Sequence, residues 1–375
     1  MSDDKINPIT RALQQGVDTH VFPGSVLFVR CHDRICYHQA VGLTSQFPSE
    51  HPARLDTVYD LASLTKPLAT GMGIVCLVQD GILDIDQPVE SILPELQGRV
   101  VGQATIQDLL CHRSGLPGWR PYYEHVFLQH GVLTREVEST HRFNYLEYIA
   151  QEPLEYSPRT NSVYSDLGFI LLGFVIEAVT GLPLRQYCAE RMYHPLNAEP
   201  LAFFDRVGQV SDREQSSYTF AKTEQDIWRG RMLEGEVHDE NAYVLGGAAG
   251  HAGLFGTAEA VSVVTKAWLD SYLGGGMFFD PKLVRQFTAR QGEPQDSSWA
   301  LGWDTPSSPS SSGSHFSSSA FGHLGFTGTS IWIDPEVELE VILLTNRVHP
   351  TRKNNKIRQF RPMIHDVIYT EVIGR

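Results

Sequence analysis

Hydrophobic residues follow a strand-like pattern at both ends of the chain and a helical pattern between them. Short apolar runs that end in turn residues predict strands, whereas apolar positions three and four apart predict helices. The predicted strands lie within 24–42, as a pair joined by a turn at 32–34, and at 330–335 and 339–346, joined by a turn at 334–336. The predicted helices include 9–17, one that starts near Ser63, 162–179 and 361–373. This order indicates a sheet built from both chain ends, with a mainly helical stretch at 104–260.

One segment fits neither pattern. Residues 305–319 are rich in serine and proline and poor in apolar groups. Such a composition cannot build a packed core and is typical of loops. We expect this segment to be a mobile surface loop. An inert insertion is favoured over a regulatory lid, because surface loops tolerate insertions.

Composition narrows the classes of partner. The 375 residues include 30 basic and 44 acidic side chains, a net charge of −14, and 42% are hydrophobic. An acidic protein is poorly suited to nucleic acid or an anionic membrane surface, which both attract basic patches. No apolar run is long enough to span a membrane, and the first residues lack the basic and apolar regions of a signal peptide. We expect a cytoplasmic protein, or a periplasmic one if a signal peptide has been removed.

The chain contains five cysteines, at positions 31, 36, 76, 111 and 188. Their number is odd and no Cys-x-x-Cys pair occurs among them. We expect reduced thiols, of which Cys76 and Cys188 fall in helical patterns and behave as small buried hydrophobic residues.

The strongest chemical signal is the pair Ser63 and Lys66. Residues three apart share a helix face, so the spacing places a hydroxyl beside an amine. A desolvated lysine can remove the proton from a serine and make it a nucleophile. Pro67 falls in the first turn of the predicted helix, where proline is tolerated, and the helix dipole favours negative charge developing at Ser63. The alternative is a serine cap followed by a solvated lysine.

Two later segments strengthen this interpretation. Tyr164-Ser165-Asp166 stands at the start of a predicted helix, and its phenol can relay a proton if a cation such as Lys66 lowers its pKa. His323-Leu-Gly325-Phe326 precedes the strand at 330, and its glycines permit close approach of a substrate backbone. The N–H of Phe326 can join that of Ser63 as an oxyanion hole.

The order of these segments resembles the serine β-lactamase and penicillin-binding-protein superfamily, especially its class C-like esterases and peptidases. The family motif Ser-x-x-Lys matches Ser63 and Lys66, Tyr-x-Asn falls on Tyr164 to Asp166, and Lys/His-x-Gly falls on His323 to Gly325. Accessory family patterns occur at 109–117, 171–181, 253–258 and 301–303. The resemblance covers roughly residues 20–370.

The resemblance implies an α+β fold, in which an antiparallel sheet is flanked by helices and an all-helical region is inserted between the first and last strands. Applied to this chain, it predicts a sheet domain from 1–75 and 255–375 and a helical domain from 76–254.

Two residues depart from the family pattern. Asp166 replaces an asparagine and can hold Lys66 protonated, which weakens the lysine as a base. His323 replaces the lysine of most β-lactamases, and a neutral imidazole binds a carboxylate less well. Arg347 either restores a carboxylate contact or is an exposed arginine after a strand.

The segment 237–255 resembles a subgroup that includes N-acetylmuramyl-L-alanine amidases and small penicillin-binding-like proteins. His238, Asp239 and His251 are residue types that bind zinc, but Ser-Lys-Tyr chemistry requires no metal. We therefore expect no metal and no cofactor, and assign His251 to the lining of the site.

The sequence thus predicts a serine hydrolase that forms an acyl-enzyme on Ser63. Lys66 and Tyr164 share the proton transfers, Ser63 and Phe326 supply the oxyanion hole, and His323 and Asp166 orient the substrate or tune Lys66. The expected substrate is a small molecule or peptide, preferably a cell-wall-derived peptide or muropeptide amide. A small ester, a β-lactam and a non-catalytic binding role remain alternatives, and the oligomeric state is not predicted.

Overall fold

The computed structural model describes residues 7–130, 135–204 and 218–374. The main helices are α1 (Pro8–Asp18), α2 (Met72–Gln79), α3 (Ile106–Leu110), α4 (Tyr122–His130), α5 (Arg135–Gln151), α6 (Asp166–Thr180), α7 (Leu184–Cys188), α8 (His194–Leu196), α9 (Glu240–Val244), α10 (Ala258–Leu273), α11 (Pro281–Thr288) and α12 (Ile357–Val372). The strands are β1 (Gly24–Cys31), β2 (Arg34–Ser45), β3 (His51–Pro52), β4 (Tyr59–Asp60), β5 (Ala202–Phe203), β6 (Gln225–Asp226), β7 (Arg231–Met232), β8 (Leu254–Gly256), β9 (Phe321–Leu324), β10 (Ser330–Asp334) and β11 (Leu339–Thr345).

The main sheet joins the two ends of the chain. Its six strands lie in the order β3-β2-β1-β11-β10-β9, and every neighbouring pair is antiparallel. The N-terminal strand β1 pairs with the whole length of the C-terminal strand β11, from Ser25 opposite Thr345 to Cys31 opposite Leu339. Two further small sheets contain β4-β8-β5 and β6-β7. The expected sheet of distant segments is confirmed.

Side chains of the central strands point alternately to the two faces of the sheet, and each face packs against its own hydrophobic layer. On one face, Leu27 of β1 and Val341 of β11 pack into a cluster with α1 and α12. On the other face, Phe28 and Ile342 belong to the larger core that includes α2, α6 and α10. Because successive strand residues point to opposite faces, near-continuous apolar strands are the expected sequence for a sheet covered on both sides.

Three predicted boundaries differ from the structure. The predicted helix 162–179 begins only at Asp166, since the extended Ser165 caps it by accepting the N–H of Gly168. The C-terminal helix begins at Ile357, four residues earlier than predicted. The segment after Ser63 is helical but irregular: a 3₁₀ turn (Ala62–Leu64) leads into a π-helical stretch (Lys66–Gly71) before α2. π-Helical turns are often found at functional sites.

The serine-rich segment 305–319 contains no helix or strand, as expected, but it is not an unattached surface loop. Its backbone and side chains bond to neighbouring elements: the N–H of Ser314 donates to Asp366 (2.6 Å), the N–H of Ser317 donates to Asp334 (2.8 Å), and the carbonyl of Ser311 lies 2.9 Å from Nδ1 of His365. The segment is a surface loop attached to β10 and α12, and its expected mobility stays a prediction.

The larger hydrophobic core contains residues from both predicted domains, so the division at 75/76 and 254/255 stays a prediction. Among the described residues, no single helix is long and apolar enough to cross a membrane. Taken together, α6 and the following helical stretch 184–196 have the length and composition of a membrane span, but the chain bends by 75° between them.

All five cysteines are free thiols in the structure, and only Cys36 is exposed. We expect a thiol reagent such as Ellman's to modify about one thiol in the native protein and five after denaturation, because burial both hides a thiol and disfavours its reactive thiolate. Fewer than five thiols in the denatured, unreduced protein would contradict the expectation of reduced cysteines.

Candidate active site

Ser63 sits on a sharp turn that follows β4. The residue before it, Ala62, has a left-handed backbone (φ 49°), and its N–H is held by Oδ1 of Asp60 at 2.8 Å. Its carbonyl accepts the Thr65 hydroxyl at 2.6 Å. A non-glycine residue in this conformation costs of order 1–3 kcal/mol and persists only where neighbours fix it, typically at functional sites. These bonds fix the direction in which Ser63 faces the cavity.

Lys66 is buried with no exposed side-chain surface, and three acceptors surround its ammonium. Nζ lies 3.1 Å from Oγ of Ser63, 2.6 Å from Oδ1 of Asp166 and 3.2 Å from the carbonyl oxygen of His251. Burial alone would lower the pKa of Lys66, but the charge of Asp166 and the Tyr164 phenol outweigh burial and raise it. The structure therefore brings the predicted serine and lysine together and gives the lysine an ionic partner.

Tyr164 lies against the same ammonium, with Nζ of Lys66 4.7 Å from its ring centre. Its ring stacks on Trp299 at 5.4 Å and contacts His112 at 4.6 Å. Burial raises the pKa of Tyr164; the Lys66 charge offsets part of this rise and Asp166 adds to it. Lys66 thus lowers the pKa of Tyr164 as expected, but burial outweighs this effect and the net shift is upward. At neutral pH both the lysine and the phenol carry their protons.

His323 lies on the edge strand β9 and is neutral. Burial first, and then the charge of Lys66, lower its pKa to about 3. Nδ1 lies 2.9 Å from the carbonyl oxygen of Leu324, which can only accept, so Nδ1 carries the proton. Nε2 is then an acceptor, and among the described residues it has no partner. The expected loss of positive charge at this position follows from the surroundings as well as from the residue type.

The turn after β9 brings Phe326 toward Ser63. Neither the N–H of Ser63 nor that of Phe326 has an acceptor within the described parts of the chain. A Cβ on Gly325 would collide with Oγ1 of Thr329 and the carbonyl oxygen of Leu61. The glycine therefore permits the turn to pack against the Ser63 turn. The expected close approach of a substrate backbone at Gly325 stays a prediction. The pairing of the two N–H groups as an oxyanion hole stays a prediction.

Arg347 binds to the turn that contains Phe326. Its Nε donates to the carbonyl oxygen of Phe326 at 2.8 Å, and Nη1 donates to the carbonyls of Arg352 (3.0 Å) and Asn354 (2.5 Å). Its guanidinium also covers the Phe326 ring at 4.5 Å. Arg347 lines the cavity, so a carboxylate contact stays a prediction, but its main bonds are structural.

The two histidines of the segment 237–255 pair with different carboxylates. Nε2 of His251 lies 2.8 Å from Asp239, and Nε2 of His238 lies 2.9 Å from Glu224. The His251 partner and the N–H of Ala242 help hold the pKa of Asp239 below its usual value despite burial. Among the described residues, no group of three or more potential ligands is arranged to hold a metal ion. His251 lines the cavity, and its carbonyl orients Lys66.

These groups surround one cavity of about 850 Å³. Ser63, Tyr164, Asp166, His251, His323, Gly325, Phe326 and Arg347 all contribute to its walls. The volume falls in the range typical of small-molecule and peptide sites.

Sequence reasoning missed several of the lining residues. The middle of the serine-rich segment, Pro309 to Ser311, forms part of one wall, and Trp299 forms another. No motif signal marks either of them. His112 lies in one of the accessory family patterns. Its Nδ1 accepts the N–H of Ser165 at 3.0 Å, which fixes the backbone next to Tyr164.

Comparison with known proteins defines the class. The sequence model of the Beta-lactamase family matches residues 9–361. An "N-acetylmuramyl-L-alanine amidase" of Bacillus subtilis is 34% identical over 93% of this chain and 82% of its own. A "Putative D-alanyl-D-alanine carboxypeptidase" of Salmonella gallinarum is 31% identical over 94% of this chain and 85% of its own.

Solved structures agree on the fold. "EstCE1, a hydrolase with promiscuous acyltransferase activity" has a TM-score of 0.73 at 20% identity and covers 96% of this chain and 97% of its own. An octameric penicillin-binding protein homologue from Pyrococcus abyssi has a TM-score of 0.72 at 18% identity, over 99% of this chain and 78% of its own. The fold is the predicted α+β fold of β-lactamases and transpeptidases. The chain belongs to the β-lactamase family and is a hydrolase of its serine class.

The buried pair of Lys66 and Asp166 generates a test of stability. We expect Asp166→Asn to lower the melting temperature at pH 7, since removing one partner of a buried ion pair costs up to about 3–5 kcal/mol. In the variant, burial without a carboxylate depresses the pKa of Lys66, so stability returns as the lysine deprotonates at higher pH. The deficit relative to wild type should therefore shrink between pH 7 and pH 10 in thermal unfolding followed by circular dichroism.

Asp80→Asn is the matched control, because Asp80 pairs with Arg191 in a half-exposed ion pair. Such a pair contributes about 0–1 kcal/mol, so this control should show a small deficit that does not change with pH. A deficit of Asp166→Asn that stays constant or grows with pH would contradict the assigned ionic partnership.

Proposed function

We propose that Ser63 is the nucleophile of this hydrolase and that the reaction passes through an acyl-serine. The observation that carries the proposal is the 3.1 Å separation between Nζ of Lys66 and Oγ of Ser63, on the wall of the main cavity. A base within hydrogen-bond reach of a hydroxyl is the arrangement that activates serine.

Lys66 is a base only in its neutral form, and Asp166, 2.6 Å away, keeps that form scarce at neutral pH because it raises the pKa of the lysine. In this neutral form the amine takes the proton of Ser63. Oγ of Ser63 then bonds to the carbonyl carbon of the substrate, and the carbonyl oxygen becomes an oxyanion that the N–H groups of Ser63 and Phe326 stabilise. An asparagine at 166 would lower the pKa of Lys66 and make the neutral amine more abundant.

Tyr164 completes the proton transfers. Its phenol is protonated in the free protein and interacts with both Lys66 and Ser63. It donates to the leaving nitrogen or oxygen as the bond to the carbonyl carbon breaks, and Lys66 restores its proton. Water then attacks the acyl group by the reverse sequence, which releases the acid and regenerates Ser63.

The proposed substrate is an amide of a cell-wall-derived peptide or muropeptide. Two relatives support this class of substrate, since they are named as an N-acetylmuramyl-L-alanine amidase and a putative D-alanyl-D-alanine carboxypeptidase. The cavity is also large enough for a peptide. A small ester is the second candidate, because the fold is shared with a hydrolase that has promiscuous acyltransferase activity. A β-lactam fits less well, since His323 is uncharged.

Replacement of the nucleophile tests the covalent route. We expect Ser63→Ala to lose about a thousandfold or more in the rate of amide cleavage from N-acetylmuramyl-L-alanyl peptide and to lose fluorophosphonate labelling, detected as a mass shift. The exposed Ser157→Ala should retain both. Equal labelling of Ser63→Ala and wild type would show that another residue is the nucleophile.

The uncharged His323 predicts substrate preference. We expect kcat/KM for nitrocefin to lie about tenfold or more below that for the muramyl peptide, because a β-lactam carboxylate lacks a charged partner at this position. His323→Lys should raise nitrocefin turnover if charge limits it. An unchanged rate in that variant would mean that cavity shape, and not charge, sets the preference.

A further inference from the structure

One tryptophan in the wall of the candidate active site is exposed. The chain has six tryptophans, all within the described ranges, and three of them are fully buried. Trp119 is 41% exposed and lines the cavity that contains Ser63. Within the described ranges its indole N–H has no acceptor, and the ring in contact with it, Tyr123, lies 6.3 Å away at an angle of 48°. The flat face of Trp119 is therefore open, and the proposed reaction gives it no role.

The backbone just before Trp119 is bonded to the start of α6. The carbonyl oxygen of Gly118 accepts the N–H of Asp166 at 2.8 Å, and the carboxylate of Asp166 binds Lys66. A Cβ on Gly118 would lie only 2.9 Å from the carbonyl oxygen of Tyr164, so the two segments pack closely. Trp119 therefore adjoins the part of the wall that contains Tyr164 and Asp166.

The backbone just after Trp119 is bonded to α9. Nδ2 of the fully buried Asn241 donates to the carbonyl oxygen of Arg120 at 2.9 Å, and its Oδ1 accepts the N–H of Tyr123 at 3.1 Å. Asp239 caps the same helix and, like Trp119, lines the cavity. Asn241 thus links the segment that carries Trp119 to the segment that carries Asp239.

Asp239 offers the cavity a charged oxygen. Its Oδ1 accepts the N–H of Ala242 at 2.7 Å and Nε2–H of His251 at 2.8 Å, whereas Oδ2 has no partner among the described residues. Burial alone would raise the pKa of Asp239, but His251 and the N–H of Ala242 outweigh burial and hold the pKa below its usual range. An ionised carboxylate can only accept, so Oδ2 is suited to an N–H or O–H donor of a ligand.

An open aromatic face and a charged acceptor on one cavity wall match a sugar. A pyranose has a face of C–H groups that packs on an aromatic ring, and hydroxyl donors around its rim. A purely apolar group would leave Oδ2 of Asp239 without a donor, and a purely polar group would leave the Trp119 face in water. Among the groups of the proposed substrate, the muramyl ring presents both surfaces.

We propose that Trp119 and Asp239 bind the pyranose ring of an N-acetylmuramyl group, with the indole against its C–H face and Oδ2 accepting its hydroxyls. The proposal rests on the proposed function and deepens it. In a muramyl-L-alanine amide, the carbonyl carbon that Ser63 attacks is joined to the sugar through a short lactyl ether. The sugar therefore stays on the acyl half of the substrate and lies in the same cavity as Ser63.

The test compares two compounds that differ only in the sugar. N-Acetylmuramyl-L-alanyl-D-isoglutamine contains the pyranose, and D-lactyl-L-alanyl-D-isoglutamine keeps the same scissile amide and leaving peptide without it. The ratio of kcat/KM for the two is measured in wild type, Trp119→Ala, Trp119→Phe, Asp239→Asn and Phe47→Ala. In Asp239→Asn the amide oxygen still accepts Ala242 and His251, and only the free oxygen is replaced by an N–H donor.

We expect Trp119→Ala and Asp239→Asn each to reduce the ratio by about tenfold, because one loses a ring contact and the other a charged hydrogen bond. Trp119→Phe keeps a flat ring and should retain most of the ratio. Phe47→Ala is the matched control: it removes an aromatic side chain that is 59% exposed and outside the cavity, so its ratio should equal that of wild type. Melting curves of all variants check folding.

Binding is measured separately in Ser63→Ala, which cannot form the acyl-serine. The same two compounds are titrated into this variant in a calorimeter, and the sugar should lower the Kd. Adding Trp119→Ala to the Ser63→Ala variant should remove most of that difference, since the indole face is lost.

Equal kcat/KM for the two compounds in wild type, or an unchanged ratio in a folded Trp119→Ala variant, would overturn the sugar site and leave the amidase function standing. An equal fall in Phe47→Ala would also overturn it, since the effect would not be local. If neither compound is cleaved but the sugar tightens binding through Trp119, the amidase assignment is wrong and the sugar site holds. Absence of both cleavage and that difference in binding requires the two proposals to be abandoned together.

Discussion

The buried ammonium of Lys66 is the interaction on which the candidate site depends. Taking an ammonium out of water costs several kcal/mol unless neighbouring groups replace the lost hydration. Here three acceptors from three distant segments replace it: the hydroxyl of Ser63, the carboxylate of Asp166 and the carbonyl of His251. Because the cation needs all three, it fixes the Ser63 turn, the start of α6 and the loop before β8 relative to one another. The same bonds define where a proton can go.

A second set of hydrogen bonds fixes the part of the cavity wall that contains Phe326. The buried guanidiniums of Arg347 and Arg361 donate to carbonyl groups of the turn that carries Phe326. Arginine suits this task because it stays charged even where burial lowers its pKa. The turn is thus fixed through its carbonyls, which leaves its outward N–H free for a ligand. Burial of the site also explains why His323 is neutral and Tyr164 is protonated.

Local features of the sequence predicted much of this arrangement. Ser63 and Lys66 were predictable because a three-residue spacing survives an irregular helical turn, and Asp166 because its departure from asparagine places a charge beside a lysine. The strands at both ends were predictable from short apolar runs that end in turn residues. The pKa of Tyr164 was not predictable, since burial against Trp299 and His112 depends on segments more than 50 residues away in the chain. The roles of Arg347 and of the serine-rich segment depend likewise on bonds formed only after folding. The helix boundary at Asp166 was missed because Ser165 is a better cap than a helix residue.

The antiparallel pairing of β1 with β11 has a consequence for synthesis of the protein. A ribosome releases the Ser63 turn long before residues 321–345 exist, and domains fold as units once their partners are available. Until β11 arrives, β1 has an open edge on the side that β11 will occupy, and the cavity lacks the wall that contains His323 and Phe326. A nascent chain therefore carries Ser63 in an unfinished cavity, which is completed only when the last quarter of the polypeptide has joined the first. The order of the strands in the sheet thus also sets the time at which the candidate site is first complete.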